Sequence, residues 1–498
     1  MINCEALRKK IIDLAISGKL VSQDPNDEPA SVLLGRIEKE RQQKGLKQKK
    51  SATTIDDNPY YEKLRGECRY VFPATWVSEN LDGVARIITG TSYQPKNISQ
   101  VGKGIRILRG GNIINSSLSF LCDDVYVDSS LRDTEKQIAI GDILYVASTG
   151  SLEAIGKNSI VEEDVDGCQI GAFLRIVRPN REIIDPFYLW LIFQSTAFRE
   201  TILASCGGTN INNVSGKKLG KMVVPIPPKR EQQRIVSKAK QLLEWVDVIS
   251  GRQKRYKELE GLLRSKVLDL AIRGKLVPQD PDDEPASVLL ERIKAERDRL
   301  AKEGKIKLPK AASEEIPEAD KNYYGKLPNS WSLCCLTDIG FITGGGTPDT
   351  CVQMFYEKGT IDWITPAIMA AFSGAFAYGS PKKITKMGLN NSSARLIDAD
   401  SLTISSRAPI GYVTILKKPM CTSQGCKSLT PFSKVLINVE YLYLVMLAIR
   451  SFLGSKASGT TFLEISGKEF GNVPIPLPPL NEQAKIVRKA RRILPQLF

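Results

Sequence analysis

The most regular hydrophobic pattern in the chain predicts one long helix from Glu231 to Ile272. Apolar side chains recur there at alternating spacings of four and three residues, which is typical of a coiled-coil seam. The seam residues are Ile235, Ala239, Leu242, Val246, Ile249, Gln253 and Tyr256, followed after a change of phase by Leu259, Leu263, Val267 and Leu270. Gly274 ends the pattern. At a rise of about 1.5 Å per residue the helix is roughly 60 Å long, so it needs a partner to bury its apolar stripe.

Both ends of the chain carry the same apolar register and can supply that partner. Residues near the C-terminus match the start of the long helix at an offset of 251, and residues near the N-terminus match its end at an offset of 256. The matching residues are Ile486, Ala490, Ile493 and Leu497, and then Leu7, Ile11 and Leu14. We predict an antiparallel helix pair in which 472–498 also pairs with the N-terminus. The alternative is two unrelated amphipathic helices. Pairing of both chain ends with the long helix would close the repeat into a ring. Whether the ring closes is not decided by the sequence, because no C-terminal residues correspond to 248–256 and Pro495 falls where the helix should continue.

Two longer segments are each written twice. Residues 7–41 recur at 263–297 with 26 of 35 positions identical, and 207–236 aligns without gaps with 458–487. A solenoid would repeat at a period of roughly 20–50 residues, so this spacing indicates one large unit used twice.

The stretches between the repeats, 58–220 and 322–471, have short β-branched runs broken by Gly, Asn, Asp and Pro. We predict strands within 105–113, 141–148, 172–180 and 401–416, and buried helices at 188–195 and 441–453. The predicted fold class is α+β, with two α+β domains (58–220 and 322–471) joined by a long antiparallel helical coiled-coil pair in a pseudo-two-fold, circular repeat. The helical regions are 1–50, 221–312 and 472–498.

Composition favours a soluble protein that binds a polyanion. The net charge of +15 points first to nucleic acid, the alternative being a generally basic protein. No apolar run approaches the ~18 residues of a membrane-spanning helix, and the N-terminus lacks a signal-peptide core, so we predict a cytoplasmic protein without membrane association. The ten cysteines form no CxxC pair and are expected to be reduced and mostly buried.

The chain offers no catalytic constellation. It contains no histidine, which excludes His-based acid–base catalysis, Ser-His triads and His metal ligands, and we predict no metal site. Asn58-Pro59-Tyr60-Tyr61 differs at its third position from the N-P-P-Y/F motif of amino-methyltransferases, and Ser215-Gly216-Lys217 is not a P-loop. We therefore predict a chain without catalytic residues.

The remaining candidates are polar and basic residues on predicted turns. Arg and Asn can read guanine and adenine edges through paired hydrogen bonds, whereas Lys mostly contacts phosphates. The candidates in the first stretch are Arg106, Arg109, Asn112, Lys157, Asn158, Asn210 and Asn212. Those in the second stretch are Thr347, Lys382, Lys383, Lys386, Arg395 and Arg407. The alternative for each is a solvated loop side chain.

The repeated motifs resemble those of the specificity (S) subunit of type I restriction-modification systems. AIxGKLVxQDPxDEPAS occurs at 15–31 and 271–287, and PIPPKREQQRIV at 225–236 is echoed by PIPLPPLNEQAKIV at 474–487. The resemblance covers the whole chain. It implies that the two variable stretches are target recognition domains, each reading one half of a split double-stranded DNA site, while the helix pair sets the gap.

The resemblance also implies a non-catalytic chain with protein partners. Two modification (methyltransferase) subunits would dock on the repeated regions, and restriction (translocase and nuclease) subunits would join them. S-adenosylmethionine, ATP and Mg are then expected on those partners, with no cofactor on this chain. The residues assigned to docking and spacing are Glu231, Gln232, Ile235, Leu242, Leu263, Leu270, Glu482, Gln483 and Ile486.

Two alternatives from other classes stay open. One is a coiled-coil scaffold that binds DNA without sequence preference. The other is a self-sufficient DNA adenine methyltransferase, which the missing cofactor and N-P-P-Y motifs disfavour.

Overall fold

The chain folds as two units, Met1–Arg255 and Tyr256–Phe498, each with its own hydrophobic core. The computed structural model describes residues 1–43, 72–165, 167–205, 212–306, 315–459 and 463–498. The Asn58–Tyr61 motif and Asn210 lie outside these ranges.

The long helix is present and runs from Lys229 to Ile272, which confirms its prediction. The boundary between the two units falls within it, so its residues to Arg255 belong to the first unit and those from Tyr256 to the second. We call it the central helix.

In the first unit the N-terminal helix, Cys4–Ile16, packs antiparallel to the central helix. Cys4 Sγ lies 3.4 Å from Gln253 Oε1, and Arg8 forms an ion pair with Asp247, so contacts move backwards along the central helix as the N-terminal helix advances. Their shared core contains Ile11, Ile12, Ala15, Ile16, Ile235, Ala239, Leu243 and Val246. Antiparallel pairing is thereby confirmed in this unit.

In the second unit the C-terminal helix, Leu480–Ile493, shares a core with the end of the central helix. The predicted seam is wrong in part, since Leu259 and Leu263 are 48% and 47% exposed. The C-terminal helix ends at Ile493, and a turn at Pro495–Leu497 buries Leu497 under the second domain instead of extending the seam. The predicted pairing of 472–498 with the N-terminus stays a prediction.

An antiparallel strand pair closes each domain beside its helices. Val77–Asn80 pairs with Val223–Ile226, and Ser332–Cys335 pairs with Pro474–Leu477. We use these strands to bound the first domain (77–226) and the second domain (332–477).

The first domain is built on a four-stranded antiparallel main sheet. Its strands, in spatial order, are Asn158–Ile160, Ile143–Val146, Leu174–Pro179 and Ala85–Thr89. A second sheet has the order Cys168–Ile170, Ile105–Leu108, Val125–Val127 and Ile98–Ser99, with its first two strands parallel. Two short pairs are Ile113–Ile114 with Ser117–Leu118, and Ser148–Thr149 with Asn212–Asn213. The strands predicted within 105–113, 141–148 and 172–180 are confirmed.

The second domain repeats this plan despite its different sequence. Its main sheet has the order Gly340–Gly344, Cys426–Pro431, Leu402–Ser405, Val413–Leu416 and Phe376–Ala377. Its second sheet has the order Lys383–Ile384, Ile361–Ile364, Met420–Thr422 and Leu396–Ile397, with its middle pair parallel. The first four strands of the main sheet follow the same chain-order pattern as in the first domain. The duplication therefore extends to the fold of the variable stretches, and the strand pair predicted within 401–416 is confirmed.

Shorter helices complete both units. Those of the first are Ala30–Gln43, Leu81–Val84, Pro186–Gln194, Thr196–Ser205 and Gly216–Gly220, with 3-10 turns at Pro95–Asn97, Gly110–Asn112, Ser129–Leu131 and Thr134–Lys136. Those of the second are Ala286–Lys302, Glu318–Tyr324, Leu336–Ile339, Pro366–Ala370, Lys386–Asn390, Val439–Ala448, Arg450–Ser455 and Gly467–Gly471, with a 3-10 turn at Gln353–Phe355.

The predicted buried helices form the centre of each core. Pro186–Gln194 is buried from Phe187 to Phe193, and the side chain of Asp185 accepts hydrogen bonds from two amides of its first turn. Asn438 caps Val439–Ala448 in the same way. These caps let apolar helices begin within the core without leaving amide donors unpaired.

The described ranges contain neither a membrane-spanning helix nor a cluster of metal ligands. Their helices include none with the length and apolar character needed to cross a bilayer. Their Cys, Asp and Glu side chains form no group of three that could hold a metal ion. All eight cysteines in the described ranges are free thiols, and five are buried: Cys168, Cys334, Cys335, Cys421 and Cys426.

Gly274→Ala is expected to lower the free energy of unfolding of the second unit by about 1–3 kcal/mol. Gly274 has a φ of +67°, and a Cβ there would lie 2.4 Å from Pro328 Cγ. Gly261→Ala is the control: it lies within the central helix with open space around its Cβ, and we expect stabilisation by about 0.5–1 kcal/mol. Urea unfolding measures both changes, and an unchanged midpoint for Gly274→Ala would contradict the steric account.

Candidate nucleic-acid interface

A buried carboxylate joins three segments of the first unit. Glu231 lies in the first turn of the central helix and is 1% exposed. Its Oε1 accepts a hydrogen bond from Gln23 Nε2 at 2.6 Å, and its Oε2 accepts one from Trp76 Nε1 at 3.0 Å. Gln23 follows the N-terminal helix and Trp76 immediately precedes the first domain. This side chain therefore links the domain to both helices.

The second unit contains the same arrangement. Glu482, also 1% exposed, accepts from Gln279 Nε2 at 2.6 Å and from Trp331 Nε1 at 2.8 Å. Burial raises the pKa of both glutamates because the charged form loses water, while the two hydrogen bonds oppose that rise. We call these sites, Gln23–Trp76–Glu231 and Gln279–Trp331–Glu482, the carboxylate clamps.

The neighbouring glutamines are also used internally. Gln232 accepts from the amide of Asp185 at 2.7 Å and donates to the carbonyl of Ile183 at 3.0 Å. Gln483 accepts from the amide of Asn438 at 2.9 Å. Each glutamine therefore holds the segment that caps the buried helix of its domain.

This burial corrects part of the docking assignment. Six of the assigned side chains are at most 1% exposed and cannot contact another subunit directly: Glu231, Gln232, Ile235, Glu482, Gln483 and Ile486. Leu263 is exposed, and Leu242 and Leu270 are half-buried, so these three keep accessible surface. The burial of these side chains does not test whether the helices set the gap between the half-sites, so that assignment stays a prediction.

In each domain, three loops meet at one edge of the main sheet. In an antiparallel sheet, each strand ends at the edge where its neighbour begins. The loops 90–94, 147–157 and 171–173 of the first domain therefore lie at one edge. The second domain brings together 345–350, 406–412 and 423–425. We call this side the loop edge. It presents many side chains on a rigid support, as a surface that reads a long ligand requires.

A glycine holds the first loop of each edge close to its neighbour. A Cβ at Gly90 would lie 2.1 Å from the carbonyl oxygen of Gly171, and a Cβ at Gly345 would lie 1.9 Å from that of Ser423. Only glycine permits these approaches, so both domains keep the same backbone at this point while the exposed residues beyond it differ.

Two candidates in the first domain are wrong as surface-reading residues. Asn112 is fully buried and donates to Asp124 Oδ1 at 2.6 Å. Asn158 is 5% exposed, donates to the carbonyl of Phe193 at 3.2 Å, and accepts from Gln194 Nε2 at 2.7 Å. Their amides are occupied within the domain, so they support the loops without facing a ligand.

The arginine candidates are held in local contacts. Arg106 lies 4.8 Å from the ring centroid of Phe120 and 3.4 Å from an Asp124 oxygen. Arg109 lies 3.3 Å from an Asp123 oxygen at a more exposed position. Each guanidinium is therefore partly oriented by an acidic neighbour, while its remaining N–H groups keep donor capacity.

The other two described candidates of this domain lie at or beside the loop edge. Lys157 is exposed there. Asn212 forms a backbone strand pair with Thr149.

The second domain keeps most of its candidate cations on the surface. Lys382, Lys386 and Arg395 are exposed, and Thr347 is exposed at the loop edge. Two further candidates lie near acids: Lys383 Nζ is 3.9 Å from Asp362 Oδ1, and Arg407 Nε donates to Glu464 Oε2 at 2.7 Å.

Phe173 is a surface candidate that sequence reasoning missed. It lies at the loop edge, 68% exposed, and its carbonyl accepts from the amides of Ala147 and Ser148 at 3.0 and 3.1 Å. The apolar run around it predicted a strand at 172–180, but the strand begins at Leu174. Gly171 was the available signal for a turn before that strand.

Comparison with known proteins places these features in one family. The sequence matches the family described as "Type I restriction modification DNA specificity domain" over residues 73–258 and 328–492. The type I restriction enzyme EcoAI specificity subunit of Escherichia coli is 30% identical over 391 residues, which cover 68% of this chain and 63% of that protein. The MjaIX specificity subunit of Methanocaldococcus jannaschii is 33% identical over 172 residues, which cover 34% of this chain and 39% of that protein.

A solved structure supports the fold. A chain described under "complex assembly and conformational transition of the type I R-M system" aligns with a TM-score of 0.51 at 21% identity. The alignment covers 86% of this chain and 92% of that one. At this identity the likeness bears on the fold alone.

Proposed function

The chain belongs to the type I restriction-modification DNA specificity family, and we propose on this premise that it is the DNA-reading subunit of such a system. The observation that carries the proposal is the pair of domains with one sheet plan and different exposed loop-edge residues. Two domains with the same sheet plan but different loop-edge residues are suited to bind two different base sequences. The net charge of +15 suits a phosphate backbone.

We propose that each domain reads one half of a bipartite, asymmetric double-stranded DNA site and that the helices set the gap. The two clamps support this division, because each attaches one domain to the helices of its own unit. The loop edge is the proposed reading surface, with base contacts from exposed tips and phosphate contacts from the surrounding cations.

We propose a non-catalytic role within a larger complex. Two modification subunits would dock on exposed parts of the repeated helical regions, and restriction subunits would join them. S-adenosylmethionine, ATP and Mg²⁺ would be bound by those partners. The proposed setting is the cytoplasm, where the chromosome is accessible.

The direct test is competition binding of the chain assembled with its modification subunit, at one fixed salt concentration. A specificity subunit should prefer its site over random duplex by at least about a thousandfold. Equal, salt-sensitive binding to all duplexes would instead support the non-specific scaffold. Methyl transfer by the purified chain alone would support the self-sufficient methyltransferase.

Two adjacent candidates, Lys157 and Asn158, should separate surface contact from internal support. Lys157→Ala should weaken binding to all duplexes alike and reduce the salt slope by about one, with stability changed by less than about 0.5 kcal/mol. Asn158→Ala should lower the free energy of unfolding of the first unit by about 1–3 kcal/mol, because it leaves buried backbone carbonyls without their donor. Salt-titrated binding and urea unfolding measure the two effects. If Lys157→Ala leaves affinity and salt slope unchanged, this part of the loop edge does not contact phosphate.

A further inference from the structure

The hydrogen bonds of each carboxylate clamp can form in only one donor-to-acceptor direction. Both oxygens of Glu231 act as acceptors, one toward Gln23 and one toward the Trp76 indole, which can only donate. In the second unit, Gln279 Nε2 also donates to the carbonyl of Gly274 at 3.1 Å, and its Oε1 accepts from Ser330 Oγ at 3.1 Å. The glutamine amide is therefore oriented by other bonds, and the carboxylate must meet a donor on each side.

The two copies keep this chemistry while the side chains around them change. The corresponding hydrogen bonds agree within 0.2 Å: 2.6 and 2.6 Å to glutamine, 3.0 and 2.8 Å to tryptophan. Beside them, Arg234 pairs with Asp27 in the first unit and Lys485 pairs with Asp283 in the second. A substitution of Arg by Lys thus leaves the polar pattern intact.

Stability is a poor explanation for a carboxylate at this position. Burial raises the pKa of both glutamates, which means that the site disfavours the charged form relative to water. Apolar packing in such a place is often as stable as a buried ionic group, whereas directional hydrogen bonds can select one arrangement among similar ones. Each clamp lies where its domain chain meets both helices, so the selected arrangement is the angle of the domain on its helices.

We propose that Glu231 and Glu482 are positioning residues that hold each recognition domain at one angle on its helices, so that the two half-sites are read at a single separation. The clamps determine the angle of each domain on its helices, whereas the loop edges determine which bases are recognised. This inference rests on the proposed function.

The test uses Glu231→Gln and Glu482→Gln, with Glu244→Gln as control on an exposed position of the central helix. The substitution replaces one carboxylate oxygen of Glu231 by an amide NH₂ group. This donor must then face the donor of either Trp76 or Gln23, so one of the two hydrogen bonds is lost. In ¹⁵N spectra of the five indoles, hydrogen exchange of the Trp76 N–H should accelerate at least about tenfold in Glu231→Gln, with Trp331 unchanged. Glu482→Gln should show the reverse, and Glu244→Gln should match the unchanged chain.

Methylation profiling of a host strain expressing each variant with the modification subunit gives the functional result. We expect the fraction of methylated sites with a gap one base pair longer or shorter to rise at least about tenfold in either clamp variant, with both half-site sequences unchanged. A single gap length with accelerated indole exchange would overturn the positioning role. Unchanged indole exchange would overturn the clamp itself.

A second variant covers loss of folding. If Glu231→Gln abolishes assembly, Trp76→Phe keeps an aromatic side chain at this buried position and removes the indole N–H donor, and the same widening of the gap is expected from it. A single gap with Trp76→Phe overturns the proposal. If the unchanged chain yields no bipartite motif, the proposed function fails, while the indole result still decides whether the clamp exists.

Discussion

Exchange of the first domain for that of a relative is expected to change one half of the methylated DNA motif and leave the other half and the gap unchanged. The structure favours junctions at Val77 and Ile226 over 58 and 220. Strands Val77–Asn80 and Val223–Ile226 pair with each other, so a junction at 220 would separate them. Junctions at 77 and 226 also retain Trp76 and Glu231, which keeps the clamp intact. Methylation profiling of the host strain measures the result as base identity at each position.

The reciprocal exchange, Ser332–Leu477, provides the matched control. Its strands Ser332–Cys335 and Pro474–Leu477 also pair with each other, and it leaves Trp331 and Glu482 in place. It should change the other half of the motif and nothing else. A continuous motif, or a change in both halves after one exchange, would rule out one reader per domain. The expected effect is close to complete, because under the proposed function every base contact of one half would come from the exchanged segment.

Periodicity predicted the helical frame well because it depends on local spacing. The register from Ile235 to Val246 recurs at offset 251, and helices appear at both places. The seam at Leu259 and Leu263 was wrong because burial there requires a partner, and the C-terminal helix ends at Ile493. A heptad pattern records what a helix can bury, whereas the length of its partner decides what it does bury.

Side-chain roles were harder to predict because they depend on distant residues. Glu231 stood out as part of a repeated motif, but its donors Gln23 and Trp76 are 208 and 155 positions away. Asn158 resembled a turn residue until the carbonyl of Phe193, 35 positions away, accounted for its amide. Exposure was easier to predict for cations such as Lys386 and Arg395, since a charged side chain has little alternative to solvent.

Corresponding glycines occur in both the repeated segments and the variable domains, and they preserve the same backbone geometry in the two copies. Gly18 and Gly274 have φ values of +70° and +67°, and each lies against the proline of its own unit's Pro–x–x–Trp segment. Gly90 and Gly345 mark the same backbone approach in two domains whose sequences otherwise differ. Backbone geometry therefore links the two copies where side-chain identity does not, and this explains why the second domain's sheet plan was not foreseen from its sequence.

Insertion of seven residues of helix-forming sequence between Arg255 and Tyr256 is expected to lengthen the gap in the methylated motif by about three base pairs, with both half-sites unchanged. Seven residues add about 10 Å to a helix and nearly preserve its heptad register. Since DNA rises about 3.4 Å per base pair, the added length corresponds to about three pairs. The position falls between Gln253, which contacts Cys4, and Glu260, which accepts from Gln496, so the contacts of each unit are kept.

The control is the same insertion after Gly304, in the exposed turn that follows helix Ala286–Lys302. It adds equal mass outside the central helix and should leave the gap unchanged. An insertion of four residues at 255 should give a smaller change, because it adds about 6 Å and also rotates the helix by roughly 40°. If all three variants methylate the original gap length, the central helix does not set the spacing, and the separation of the half-sites must be determined by the domains themselves.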